Sequence, residues 1–212
     1  MAVAKTEKST AGSFVELVVI VATALALALG IQAFLVKPYK IPSPSMVPTL
    51  EVGQRVLVNR LGNNFGDPEI GDVVVFHPPA AATQDQSGEG PDGTCGAVPA
   101  SGAACARPTS RRSEQNFIKR LVAGPGDRIA IIDDRVVLNG ERQSEPFIQA
   151  QCDGGIERDF PTEIRVPPGH FFMMGDNRGS SDDSRFWGPV ERDWIIGGAF
   201  GTYWPPRRIG FL

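Results

Sequence analysis

The chain has few groups able to act as a base near neutral pH. Its 212 residues include two histidines, His77 and His170, three cysteines and five lysines. A Ser-His-Asp triad would have to draw on one of those two histidines. His170 opens an apolar run in Pro168-Gly169-His170-Phe171, where a hydrogen-bonded structural histidine is the default, and composition alone is all that leaves a triad open. Cys95, Cys105 and Cys152 form no C-x-x-C pair, which removes thioredoxin-like and zinc-ribbon readings. Cys95 and Cys105 share one segment and could bridge outside the cytoplasm, leaving Cys152 over. Basic charge is also short. Beyond residue 40 the chain holds 17 basic and 22 acidic residues, which argues against nucleic-acid binding.

Lysine is distributed unevenly. Lys5, Lys8, Lys37 and Lys40 flank one apolar run, and all 16 arginines lie beyond it with a single lysine, Lys119. Lysine can lose its proton when buried, whereas guanidinium stays charged at any accessible pH. A lone lysine on an apolar face is therefore either a candidate general base or a surface charge spared by chance.

The longest uncharged stretch is Leu17–Val36, 20 residues interrupted only by Thr23, Gly30 and Gln32. At 1.5 Å per residue it spans about 30 Å, the hydrocarbon thickness of a bilayer. The Phe34-Leu35-Val36-Lys37-Pro38 that follows is a poor context for removing a signal, so the reading is a permanent anchor over 14–36. Lysines on both sides make the positive-inside rule nearly a tie. Lys37, Tyr39 and Lys40 read as anchors at the lipid headgroups.

With 24 Gly and 18 Pro, the remainder suits a mostly β body. Strands are predicted over Gln54–Val58, Asp72–His77, Phe117–Val122, Arg128–Ile132, Arg135–Leu138, Glu163–Val166, His170–Met174 and Trp194–Gly201. Asp133-Asp134 turns a hairpin and Asn139-Gly140 ends it. Nothing past residue 40 shows a helical period. Pro79–Ser113, whose only aliphatic residue larger than alanine is Val98, is expected to be a mobile insertion.

Three stretches could do chemistry. Ser45 lies nine residues past Val36 in Ile41-Pro42-Ser43-Pro44-Ser45-Met46-Val47-Pro48-Thr49-Leu50, within about 30 Å of the membrane edge even if fully extended. Its neighbouring prolines stiffen the backbone, as a held nucleophile needs, although a rigid linker would look the same. The residues three before each lysine are Ala2, Lys5, Phe34, Lys37 and Asn116, so no S-x-x-K exists. In an extended strand Lys119 shares a face with Phe117 and Leu121, and Arg120 shares the other with Ile118 and Val122. Both faces are apolar, so the pattern leaves open which cation is buried. The third stretch is Gly175-Asp176-Asn177-Arg178-Gly179-Ser180-Ser181-Asp182-Asp183-Ser184-Arg185, where Asp176 and Asp183 could pair with Arg178 or Arg185. Its spacing misses the EF-hand loop, so no metal is expected.

Together with Gly71-Asp72-Val73-Val74-Val75-Phe76, Ile118-Lys119-Arg120 and Gly124-Pro125-Gly126-Asp127, these stretches resemble the bacterial type I signal peptidases. The resemblance covers most of 35–212. It implies an antiparallel β-sheet catalytic domain behind an N-terminal transmembrane helix. It also implies a serine endopeptidase that removes signal peptides after a small-x-small motif, with a Ser–Lys dyad and no cofactor. Carried over, Ser45 resembles the nucleophile and Lys119 the general base. Ser43 with the Ser45 N–H resembles the oxyanion hole, and Ser181 the hydroxyl that orients the lysine. Asp176, Asp183 and Arg185 resemble structural support, and Ile41, Pro42, Leu50 and Ile118 resemble the substrate-pocket walls. Pro44 departs from the family's glycine and removes one backbone donor.

The implied partners are preprotein signal peptides and membrane lipid. The implied topology is a short cytoplasmic 1–13, one pass through the bacterial cytoplasmic membrane, and an extracytoplasmic 37–212. Two alternatives remain at this level. A self-cleaving SOS-type repressor would carry a DNA-binding helical domain in front. A catalytically inactive tethered β domain would fail to cleave a model preprotein.

Overall fold

A computed structural model describes residues 10–61, 66–82, 102–148 and 159–212. The N-terminal helix α1, Thr10–Phe34, has 25 residues. Phe14, Leu17, Ile20, Leu25 and Leu29 are all more than half exposed, with none of the described residues packed over them. Side chains are described only for 14–30 of α1, and among the described residues no helix is long and apolar enough to cross a membrane.

The body consists of two antiparallel sheets. The larger contains β1 (Val36–Lys40), β2 (Arg55–Asn59), β3 (Val73–Phe76), β4 (Phe117–Ala123), β9 (His170–Met174), β10 (Val190–Glu191), β11 (Ile195–Trp204) and β12 (Gly210–Phe211). Its order is β1-β2-β11-β3-β4-β9-β10, with β12 paired to β11. The smaller runs β7-β6-β5-β8, from β5 (Arg128–Ile132), β6 (Arg135–Leu138), β7 (Glu141–Arg142) and β8 (Phe160–Arg165). Past residue 40 the described residues hold one short α-helix, α2, Ser184–Trp187.

The hydrophobic pattern explains why β3 and β4 are central. All four residues of β3 are buried, because each face meets its own core. Val73 and Val75 pack with Ile41, Met46, Leu50 and Ile118, whereas Val74 and Phe76 pack with Leu121, Trp187 and Trp194. A third core, including Val122, Ile129, Ile131, Phe160 and Met174, joins the two sheets.

Several expectations change. Tyr39 and its neighbouring lysines, read from the sequence as headgroup anchors, lie in β1. Tyr39 packs on the Ile41 core, and Lys37 lies 5.4 Å from its ring centre. Asp133 and Asp134 have φ of 51° and 64°, as a tight hairpin turn requires. Asn139 and Gly140 make a second such turn, so the chain continues into β7 instead of ending there. The 79–113 segment is not loose throughout. Residues 83–101, with the insertion's Cys95, lie outside the described residues, as does Cys152. Ala103, Ala104 and Cys105 are buried, however, and the Cys105 N–H donates to the Arg185 carbonyl at 2.9 Å. Small side chains allow this limb to lie close against α2. Cys105 is disulfide-bonded.

Candidate active site

Ser45 sits in a 3-10 turn, Pro44–Met46, with Ser43 as its extended N-cap. Pro44 suits the first helical position, and Met46 and Leu50 are fully buried, pinning the turn to the core. The loop after β9 holds it from the other side. The Asn177 N–H donates to the Ser45 carbonyl at 3.0 Å, and Asn177 Nδ2 donates to the Pro44 carbonyl at 3.2 Å. The Ser43 and Ser45 hydroxyls are 3.3 Å apart.

Lys119 lies in β4 opposite Val74 and is only 4 % exposed. Its ammonium is 5.9 Å from the Phe117 ring centre and has no ion-pair partner among the described residues. Arg120, by contrast, is ion-paired with Asp176, whose carboxylate oxygens accept from Nε at 2.8 Å and from Nη2 at 2.6 Å. That difference separates the two cations that strand alternation could not. Burial lowers the Lys119 pKa from 10.5 to about 8. The charges of Asp183, Asp182 and Asp176 act against this fall, and that of Arg185 adds to it.

Ser45 and Lys119 line one pocket of about 210 Å³, together with Ser43, Ile41, Pro42 and Ile118. Tyr39, Val75 and Phe117 complete its apolar wall, a contribution the sequence reading missed. Leu50 is not on this wall; it is fully buried in the core behind Ile41 and Ile118. A larger cavity, about 330 Å³, lies between Asn59, Asp72 and Phe200 and has no candidate nucleophile in its lining. Neither histidine reaches the serine's pocket. His77 Nδ1 is 3.1 Å from the Gln115 carbonyl and His170 Nδ1 is 2.8 Å from that of Pro168.

The 175–185 loop is tightly bonded. Asp183 caps α2 and accepts from Arg185 Nε at 2.7 Å, from Arg185 Nη2 at 2.9 Å and from the Gly175 N–H at 3.1 Å. Burial pushes the Asp183 carboxyl up, but the charge and hydrogen bonds of Arg185 outweigh it and hold the pKa below its usual 3.8. Arg185 Nη2 also donates to the carbonyls of Arg178 and Ser181. Of the expected pairings, Asp183 takes Arg185. Asp176 takes Arg120 and also accepts from Thr49 Oγ1 at 2.5 Å. Arg178 pairs instead with Glu145, at 2.6 Å. Sequence reasoning missed Thr49, Arg120 and Glu145 because their partners lie 33 to 127 residues away.

Ser181 is fully buried, with its hydroxyl against the Gly175 α-carbon. It lies near enough to Asp183 to favour the charged carboxylate, yet it makes no aligned hydrogen bond among the described residues. The expected bond to Lys119 is therefore not formed in this conformation. No group of three potential metal ligands occurs among the described residues.

Residues 14–204 match the family described as signal peptidase, peptidase S26. Signal peptidase I of Leptolyngbya laminosa is 36% identical over 188 residues, covering 88% of this chain and 77% of that protein. Signal peptidase I of Bacillus caldolyticus is 31% identical over 190 residues, covering 85% and 86% respectively. A solved signal peptidase I from Enterococcus faecalis aligns with a TM-score of 0.39 and 22% identity, over 63% of this chain and 97% of that one. The chain belongs to the signal peptidase family, peptidase S26, and is a serine endopeptidase.

Proposed function

We propose that this enzyme removes N-terminal signal peptides from exported preproteins with a Ser45–Lys119 dyad while anchored in the cytoplasmic membrane by α1. The observation that carries the reading is the shared pocket. A serine and a lysine with a pKa of about 8 line one small apolar cavity that neither histidine enters. At pH 7 such a lysine is about one-tenth neutral, some 300-fold more than at its ordinary pKa.

Neutral Lys119 takes the Ser45 proton, and Oγ attacks the carbonyl of the residue seated in the pocket. The Ser45 N–H and the Ser43 hydroxyl receive the oxyanion. The lysine then protonates the departing amine and, neutral again, activates the water that releases the acyl group. Ser181 lies beside Asp183, whose charge acts on Lys119, which fits a hydroxyl that orients the lysine. The walls of Ile41, Pro42 and Ile118 leave room for small side chains, which fits a small-x-small motif.

The anchor is supported by the exposed apolar surface around α1, whose 25 residues span about 37 Å. The Cys105 disulfide fits a domain on the oxidising, extracytoplasmic side, with residues 1–13 inside. Incubating the full-length protein in detergent with a preprotein carrying an Ala-x-Ala site should give cleavage that Ser45→Ala abolishes. Cleavage at the parental rate by Ser45→Ala would refute the dyad, and no cleavage by the parent would favour a binding domain.

A further inference from the structure

Glu145 follows β7 in the small sheet, outside the pocket wall, and is 4 % exposed. A buried carboxylate is expensive unless fully bonded, and this one is. Oε1 is 2.6 Å from Arg178 Nη2, and Oε2 accepts from the Val136 N–H at 2.8 Å. Its carbonyl accepts from Arg135 Nη1 at 2.6 Å, fixing the segment to β6. Arg178 is spent on the same junction. Nε donates to the Gly175 carbonyl at 3.0 Å, and Nη1 donates to the Asp134 backbone carbonyl as well as to Glu145 Oε2.

Gly175 is thus held at both ends of its residue, its carbonyl by Arg178 and its N–H by Asp183. Its α-carbon is the surface on which the Ser45 carbonyl and Ser181 hydroxyl rest. Two residues beyond Glu145, the Phe147 ring centre lies 3.9 Å from the Arg120 guanidinium carbon, and Arg120 holds Asp176. The segment that follows β7 therefore meets the loop at two points just past Gly175, at Asp176 through Arg120 and at Arg178 directly.

We infer that Glu145 is a positioning residue: by clamping Arg178 it fixes Gly175 against Ser45 and Ser181, so that the small sheet sets the geometry of the active-site loop. This rests on the Ser45–Lys119 reading. A buried ion pair is seldom the most stable filling for its space, so its contribution here is directional. Glu145 reaches Lys119 only through the loop, whose Asp176, Asp182, Asp183 and Arg185 are the charges acting on that lysine.

The test uses the full-length protein in detergent and a preprotein substrate. Replacing both charges, Glu145→Leu with Arg178→Met, removes the clamp without stranding a charge. The melting temperature should stay within about 3 °C of the parent. KM should change less than about twofold while kcat falls at least about tenfold, with the acidic limb of the pH profile displaced. Parental kcat and an unmoved limb would overturn the inference. If that pair fails to fold, Glu145→Gln serves instead: it keeps an acceptor and should show a smaller kcat loss with the same displaced limb, and a parental profile would again overturn it. A third protein, Ile164→Ala, loosens the small sheet's core at β8, two strands away from the β6 residues that hold Glu145. An equal kcat loss there would also overturn it. Activity surviving in Ser45→Ala would strike at the dyad, whereas inert Ser45→Ala beside fully active Glu145 variants strikes only at the clamp.

Discussion

The carbonyl of Ser45 and the hydroxyl of Ser181 converge on Gly175, where a Cβ would stand 2.5 Å from the former and overlap the latter more closely still. Glycine is required there by space, since the turn bearing Ser45 and the loop bearing Ser181 meet over its bare α-carbon. Gly175→Ala should therefore lower kcat/KM by about a hundredfold or more, because the Ser45 backbone cannot yield without moving the proposed nucleophile. Gly198→Ala, with nothing within 4 Å of its added carbon, is the control and should remain active. Equal activity in the two variants would count against this packing.

Lys119 costs stability where it is protonated. Its folded pKa, about 8, lies below the 10.5 of the unfolded chain. The penalty is on the order of 3 kcal/mol, fully present below pH 8 and relieved as pH rises to 10.5. Lys119→Met should thus melt at a higher temperature than the parent at pH 7, with the gap closing in alkali. Thermal melts at both ends of that range check this, and a less stable Lys119→Met at pH 7 would contradict it.

Asp183 has the opposite sign. Its folded pKa is held below the 3.8 of the unfolded chain, so its stabilisation is present above that pH and is lost as pH falls through the folded value. Asp183→Asn should be less stable than the parent at pH 7 by about 3 kcal/mol, since Arg185 is left buried and unpaired. Denaturant titrations should show the difference shrinking in acid. A difference independent of pH would mean that the Asp183 charge is not what the loop uses.

Much of this arrangement was legible in the sequence, and the exceptions share a cause. β5, β6 and β9 run as predicted, because alternation and turn residues are local signals. β1 was hidden by its closeness to the apolar helix, and the buried limb at Ala103 by side chains too small to register as core. On β4 both faces are apolar because each meets a separate core, so periodicity could not choose between Lys119 and Arg120. The choice came from Asp176, 56 residues away. Glu145 had no signal at all, since a lone glutamate after a short strand reads as surface.

The anchor makes a separable prediction. The large apolar side chains described in α1, from Phe14 to Leu29, are exposed, whereas β1 pairs with β2 in the body. A chain beginning at residue 36 should fold and remain in the aqueous phase of a detergent partition, while the full-length chain enters the detergent. Equal partitioning of both would contradict the anchor.

The central claim is that Lys119 is the proton acceptor for Ser45. Its most direct test is the pH dependence of kcat/KM for preprotein cleavage, which reports groups of the free enzyme. The prediction is a rise with pH through an apparent pKa near 8, with cleavage absent in Lys119→Arg at every pH. A profile flat from mildly acid to alkaline, or normal cleavage by Lys119→Arg, would contradict it.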